Sequence, residues 1–255
     1  MKLMRDHNAK SMDDQVPSAT DEFGDYETQV DTESEAGEGV EWLADPPPFY
    51  RAIKRCIDIV GSASALVFLS PVFAAIAIAI KLTSRGPVTF RQIRLGRHGV
   101  PFELLKFRTM LTNTSPEIHQ QYVAQLIGGQ FGGVGEKPAF KIKRDPRITP
   151  VGRFLKRTSL DELPQFWNVL RGDMTLVGPR PAMSYEWSSY ESWHKQRLSA
   201  TPGITGLWQI QGRSSTSFDG MVKLDIEYIK RASLLLDLKI LIRTPAAVFR
   251  DEKAF

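Results

Sequence analysis

The sequence predicts an α+β fold attached to a membrane by a bent helix, and three observations carry that expectation. Ile57 to Ile80 is an almost purely apolar stretch interrupted at Ser70-Pro71. Short β-type pieces punctuated by glycine lie between Val88 and Met110. Near the end, Leu234 to Phe249 mixes Leu and Ile with Asp237, Lys239 and Arg243. The 255 residues suffice for one core of moderate size plus extra segments, so a single folded unit is expected.

Charge divides the chain before any motif does. Residues 1–46 hold 3 Lys/Arg against 13 Asp/Glu, leaving 30 against 16 in the remainder. The acidic segment reads as a disordered tail, because it has too little apolar surface to offset the entropy of folding. The basic remainder implies an anionic partner, and nucleic acid, anionic lipid head groups and pyrophosphate substrates all qualify on charge alone. A lone Cys56 excludes an intrachain disulfide framework, and the four scattered histidines suggest no zinc site. No apolar run with a small-residue cleavage site opens the chain, so no secretory leader is expected.

As a straight helix the apolar stretch would be about 36 Å long at ~1.5 Å per residue, enough for a hydrocarbon core of ~30 Å. Two details argue against a simple crossing. Pro71 removes a backbone hydrogen bond near the middle and favours a kink. Basic residues stand on both flanks, with Arg51, Lys54 and Arg55 before and Lys81, Arg85 and Arg91 after, so both ends read as cytoplasmic. A re-entrant helix-break-helix bent at Ser70-Pro71 satisfies both facts, with Ser70 bonding back to a carbonyl at the break. A kinked full span and a buried core helix are the alternatives.

Val88-Thr89-Phe90 and Phe102-Glu103-Leu104-Leu105, around Gly96 and Gly99, suggest a small sheet or hairpin. Residues 112–140 give a polar helix-like run and then a loop with Gly128, Gly129, Gly132, Gly133 and Gly135, which matches neither common phosphate-loop pattern. The closing Leu234–Phe249 segment reads as an amphipathic helix, lying on a membrane surface or packed on the core.

The chemistry concentrates in Lys156-Arg157-Thr158-Ser159-Leu160-Asp161-Glu162-Leu163-Pro164-Gln165, where adjacent carboxylates follow adjacent cations at a predicted helix start. Ser159 with Glu162 would form a capping box, whereas Asp161 as cap would put Pro164 in the first turn, where its missing N–H costs nothing. The second register sets a carboxylate where backbone N–H groups also favour a phosphate. Taken alone, Asp161 reads more often as a plain helix cap and Glu162 as a solvated first-turn acid. Downstream, the prolines of Gly178-Pro179-Arg180-Pro181 stiffen the segment and hold Arg180 outward, as phosphate recognition would want. Pro202-Gly203-Ile204-Thr205-Gly206 and Gln209-Ile210-Gln211-Gly212-Arg213 add a glycine-punctuated loop with a cation.

With these blocks the sequence resembles the bacterial sugar transferases, the monotopic polyprenyl-phosphate phosphoglycosyl transferases. The likeness runs from Lys54-Arg55 through Ser70-Pro71, Lys106-Phe107-Arg108-Thr109-Met110, Asp145-Pro146-Arg147-Ile148-Thr149, the acidic window, Asn168-Val169-Leu170, Gly172-Asp173-Met174, the Arg180 segment and Pro202–Gly206 to Leu236-Asp237-Leu238-Lys239-Ile240. It is similar above all to the short exopolysaccharide-initiating members that use a UDP-hexose. The resemblance implies a mainly helical fold with a small β component, monotopic in the membrane, with surface amphipathic helices. It divides the chain into a tail (1–46), a re-entrant helix region (47–84) and a cytosolic catalytic domain (85–255), held at the cytoplasmic face of the bacterial inner membrane.

It further implies that Asp161 is the nucleophile and Glu162 its partner, that Mg²⁺ is held by Asp161, Glu162 and the substrate pyrophosphate, and that Arg180 grips phosphate. Lys106, Arg108, Lys156, Arg157 and Arg213 complete the phosphate-binding candidates. Where many members carry Arg five residues before the nucleophile this chain has Lys156, followed by Arg157, which leaves open which of the two meets substrate. The implied partners are a UDP-sugar, undecaprenyl phosphate and membrane lipids. The sugar stays open among glucose, galactose and N-acetylated forms, as does assembly, a homodimer included. Two rival readings are a membrane-anchored scaffold, which leaves the acidic pair and Arg180 without a role, and a nucleic-acid binder using Trp167, Trp193 and Trp208. The apolar stretch argues against the second, so no nucleic acid is expected.

Overall fold

The computed structural model describes residues 39–111, 147–212 and 216–250. The glycine-rich segment after Leu111, Arg213 and most of the acidic tail lie outside these residues. What is described is mainly helical with a small sheet component.

Helix α1 (Pro48–Phe68) opens with proline in its first turn, where no N–H is needed. It gives way at Leu69 to α2 (Ser70–Thr83), and the two axes are bent by 59°. The break has the expected cause, since Pro71 sits in the first turn of α2. Ser70 Oγ donates to Val67 O at 2.8 Å, the back-bond expected at that position. No single helix among the described residues is long and apolar enough to cross a membrane, while the bent pair taken together has the length and composition to do so.

One face of α1 docks on the body through polar groups. Arg55 donates to Val169 O and Leu170 O (2.6 and 2.8 Å). Asp58, buried at the start of the apolar stretch, accepts from Thr175 Oγ1 at 2.6 Å and from Leu176 N at 2.9 Å. Lys54 and Tyr50 both reach Asp237 at 2.9 Å, and Tyr228 donates to its other oxygen at 2.7 Å. The opposite face exposes Phe49, Val60, Val67 and Phe68, the last at 80%. This is inverted amphipathicity, with polar groups inward and apolar groups outward.

Strands β1 (Thr89–Leu95) and β2 (Pro101–Phe107) form the expected antiparallel hairpin, in register from Thr89↔Phe107 to Leu95↔Pro101. Its turn has His98 and Gly99 at positive φ. Helix α3 (Pro150–Thr158) is capped by Thr149, whose side chain accepts from Gly152 N at 2.9 Å. A 3₁₀ turn over Leu160–Glu162 leads into α4 (Gln165–Arg171), followed by β3 (Thr175–Val177) and β4 (Ala182–Met183). β4 joins the hairpin beside β1, giving the order β2-β1-β4. Short helices α5 (Ser184–Trp187) and α6 (Ser192–Lys195) precede β5 (Gly203–Thr205), which pairs parallel with β3. Helices α7 (Leu207–Gln211), α8 (Phe218–Lys230) and α9 (Leu234–Arg250) complete the described fold. One core cluster joins Leu95, Ala182, Tyr190, Leu198, Trp208, Phe218, Met221 and Val222; another brings Ile76 and Ile80 of α2 against Phe107 and Leu155.

One boundary differs from the expectation. The tail was bounded at residue 46, but Trp42 packs on the first core cluster and Leu43 N donates to Ser199 Oγ at 2.9 Å. Asp45 pairs with Arg51 and Arg97 there, so the packed body begins before the proline run. The closing helix packs on the core, one of its two expected placements: Ile240 and Asp237 are buried, while Leu235, Leu238 and Ile242 form an exposed apolar stripe beside Lys239 and Arg243.

Candidate active site

Neither expected helix register occurs at the acidic pair. Ser159 ends α3 in the left-handed region at φ 56°, its N–H bonding Leu155 O and Lys156 O, and its side chain caps nothing. Asp161 and Glu162 instead lie in the 3₁₀ turn, and α4 starts only at Gln165, one turn later. The N–H groups that would have met a phosphate are used by the chain itself. Glu162 N donates to Ser159 O, Leu163 N to Leu160 O, Phe166 N to Leu163 O and Trp167 N to Pro164 O. An anion here is therefore left to side chains and to N–H groups other than these four.

Those side chains come from the hairpin. Cross-strand partners share a face, so Gln92 and Arg94 of β1 look the same way as Lys106 of β2. Lys106 Nζ stands 2.9 Å from Glu162 Oε1, both half-buried. Asp161 beside it is only 7% exposed. Asn168 fixes this arrangement: its Oδ1 accepts from Leu105 N at 3.0 Å and its Nδ2 donates to Glu103 O at 2.7 Å, so α4 occupies the open edge of β2 as another strand would. Arg55 caps the far end of α4, where a cation meets carbonyls without helical partners.

The Arg180 segment is held from behind by its backbone. Gly178 N donates to Thr205 O and Gly203 N to Pro179 O, each at 2.8 Å. Arg197 Nη2 donates to Arg180 O at 3.0 Å and Arg94 Nη1 to Pro181 O at 3.2 Å. Arg180 was expected to point outward, and it does not. Its side chain is largely buried, with Nη1 3.7 Å from Glu186 Oε1 and the guanidinium 5.9 Å from the Trp208 ring centroid. Burial pushes the Glu186 carboxyl up, but Arg180, Arg197 and Arg94 outweigh it and hold it below its usual range. Arg197, with no exposed surface, reaches Asp225 Oδ2 through Nε and Nη2 (3.1 and 2.6 Å). The glycines of Pro202–Gly206 serve this packing, since a Cβ on Gly203 would lie 2.1 Å from Gly178 N.

Of the sequence candidates, the structure brings Lys106 to the acidic pair and sets Lys156 and Arg157 in the turn leading into it. Arg108 goes elsewhere: its Nη2 donates to Ser84 O and Oγ, both at 2.8 Å, tying β2 to the end of α2. Arg213 lies outside the described residues. Sequence reasoning missed Arg94, Gln92, Asn168, Glu186 and Arg197. The alternation Gln92-x-Arg94 was the one available signal, since on a strand it sends both side chains to the face of Lys106.

Among the described residues no three or more His, Cys, Asp or Glu side chains gather as a metal site. Adjacent Asp161 and Glu162 carboxylates nevertheless suit Mg²⁺, a hard cation that commonly takes one or two carboxylates and completes its shell with substrate phosphates and water.

Residues 49–251 match the family described as Bacterial sugar transferase. The chain is 42% identical over 207 residues to an undecaprenyl-phosphate galactose phosphotransferase of Salmonella typhimurium, covering 80% of this chain and 42% of that protein. It is 37% identical over 195 residues to the exopolysaccharide production protein ExoY of Sinorhizobium fredii, covering 76% of this chain and 84% of ExoY. It is 39% identical over 213 residues to a UDP-glucose:undecaprenyl-phosphate glucose-1-phosphate transferase of Escherichia coli K12, covering 80% and 42%. The chain thus spans well under half of the longer relatives and most of ExoY.

Proposed function

Because the chain belongs to the bacterial sugar transferase family, we propose that it moves a hexose 1-phosphate from a UDP-sugar to undecaprenyl phosphate, giving an undecaprenyl-diphospho-sugar and UMP, as the first membrane step of exopolysaccharide or related glycan assembly. The observation that carries the reading is the acidic pair itself, a buried aspartate next to a glutamate ion-paired to Lys106.

In this reading Asp161 attacks the phosphorus that bears the sugar. The bond from that phosphorus to the bridging oxygen breaks, UMP departs with the electron pair, and Asp161 carries the sugar phosphate as an acyl phosphate. An oxygen of undecaprenyl phosphate then attacks the same phosphorus and the Asp161 carboxylate leaves. The acceptor is already ionised, so no general base is required. Lys106 fixes Glu162 beside the nucleophile, and Arg180 offsets charge on the departing phosphate. Asp161 and Glu162 would hold Mg²⁺, whose chemistry is to neutralise the diphosphate and favour UMP as leaving group.

The membrane part of the proposal rests on the inverted amphipathicity of α1. A surface with Phe68 and Val67 outermost suits hydrocarbon, and the 59° bend allows the re-entrant path that this reading assigns to the cytoplasmic face. The exposed Leu235, Leu238 and Ile242 of α9, with Lys239 and Arg243 beside them, suit the level of anionic head groups. The test is UMP release from a panel of UDP-sugars, UDP-glucose and UDP-galactose first, with and without undecaprenyl phosphate, by detergent-solubilised protein. Lipid-dependent turnover with one hexose is expected; no UMP from any donor would refute the proposal.

A further inference from the structure

Arg94 is only 6% exposed, yet its hydrogen bonds all end on neutral acceptors. Nε and Nη2 donate to Gln92 Oε1 at 3.1 and 2.8 Å, and Nη1 to Pro181 O at 3.2 Å. A buried guanidinium without a carboxylate in contact is costly, and packing alone is a poor reason to keep one. Its surroundings are charged nonetheless. Arg180, Glu186 and Glu162 all act on it; burial and then Arg180 push its pKa down to about 10, against the pull of Glu186. Around the Arg180 segment the guanidiniums of Arg94, Arg180 and Arg197 face the carboxylates of Glu186 and Asp225, and Asp225 is engaged by Arg197. Glu162 is engaged by Lys106. Among the described residues around the Arg180 segment, and leaving the acidic pair aside, three guanidiniums thus face two carboxylates.

We propose that Arg94 is a positioning residue for the diphosphate of the nucleotide sugar: it holds the Arg180 segment through Pro181 O and adds a buried positive charge that the phosphate of the ligand offsets. The inference rests on the transfer reading given above. Gln92 belongs to the device as the neutral partner that orients the guanidinium without cancelling its charge.

Two substitutions separate this role from a packing role. Arg94→Gln removes the charge. Gln92→Glu keeps Arg94 and its bond to Pro181 O but supplies a carboxylate that cancels the charge, and it should leave the fold intact. The full chain in detergent is titrated with UMP and with uridine by calorimetry. In wild-type protein UMP should bind more tightly than uridine. Both variants should lose about tenfold in UMP affinity, the order expected for one buried charge near a phosphate, with uridine binding unchanged. Should Arg94→Gln fail to fold, Gln92→Glu decides alone. Unchanged UMP affinity in Gln92→Glu, equal losses for UMP and uridine, or wild-type protein indifferent to the phosphate would each overturn the proposal. Calorimetry needs no turnover, so wild-type protein that binds UMP but releases none from UDP-sugars counts against the transfer reading alone.

Discussion

Lys106 and Glu162 stand 2.9 Å apart next to a buried Asp161, and each has a different expected cost when changed. Asp161→Asn should abolish turnover with no loss of fold, since an amide is a far poorer nucleophile. Glu162→Gln should retain a low rate, and Lys106→Ala should fall by about a hundredfold in kcat/KM, as loss of one site donor commonly does. Rates of UMP release, alongside melting curves, check all three. A second residue-scale expectation concerns His194, which is buried among Tyr190, Trp193 and Phe218 and accepts from Glu191 N through Nδ1. Burial lowers its pKa from the ordinary 6.5, with Asp219 opposing. The unfolded chain therefore binds the proton more readily, and this contribution to stability is complete above pH 6.5 and is lost as pH falls through the folded value. Melting temperature should drop between pH 7 and 5.5 in wild-type protein and drop less in His194→Phe. At this scale the acidic pair and Arg180 were legible, because unlike charges placed together in sequence are a local signal. Arg94, Asn168 and Glu186 were not, because what they touch is decided by strand pairing and by segments up to 87 residues away.

Single elements show how local rules were overruled. Both predicted helix starts assumed that Ser159 or Asp161 opens a helix, whereas Ser159 closes α3 in the left-handed region, a conformation no serine announces in sequence. The break at Ser70-Pro71 and the hairpin around Gly96 and Gly99 were legible, since proline and glycine impose their geometry locally. Pro202–Gly206 reads in sequence as a glycine-punctuated loop, but its glycines are there so that β5 can approach the Gly178 backbone. Gly203→Ala should accordingly destabilise the protein by about 3 kcal/mol, because both neighbours of the new methyl are backbone. Denaturation of this variant against the exposed control Ser188→Ala checks it; equal stability would show that the two segments separate easily.

For the whole molecule, the polar docking of α1 makes the helix break and the catalytic turn parts of one assembly. Arg55 caps α4, whose other end carries the acidic turn, and Asp58 binds the strand that leads to Arg180. The sequence displayed the apolar stretch but not this anchoring, since Asp58 inside it gave no sign of which strand it would meet. If α1 and α2 form a re-entrant hairpin, cysteines introduced at Glu41 and Arg85, with Cys56 replaced, should both be shielded from an impermeant thiol reagent in intact cells and both react after permeabilisation. Labelling of one alone would establish a full crossing.

Two-step transfer through Asp161 leaves a covalent sugar phosphate on that residue, which peptide-level mass spectrometry detects. Detergent-solubilised protein is incubated with Mg²⁺ and the UDP-hexose that supports turnover, without undecaprenyl phosphate, then quenched and digested. The predicted result is a hexose phosphate adduct on the peptide containing Asp161, formed together with UMP, discharged on adding undecaprenyl phosphate, and absent from Asp161→Asn. Turnover by an Asp161→Asn protein, or full wild-type turnover with no adduct under trapping conditions and with initial rates that require both substrates bound at once, would contradict it.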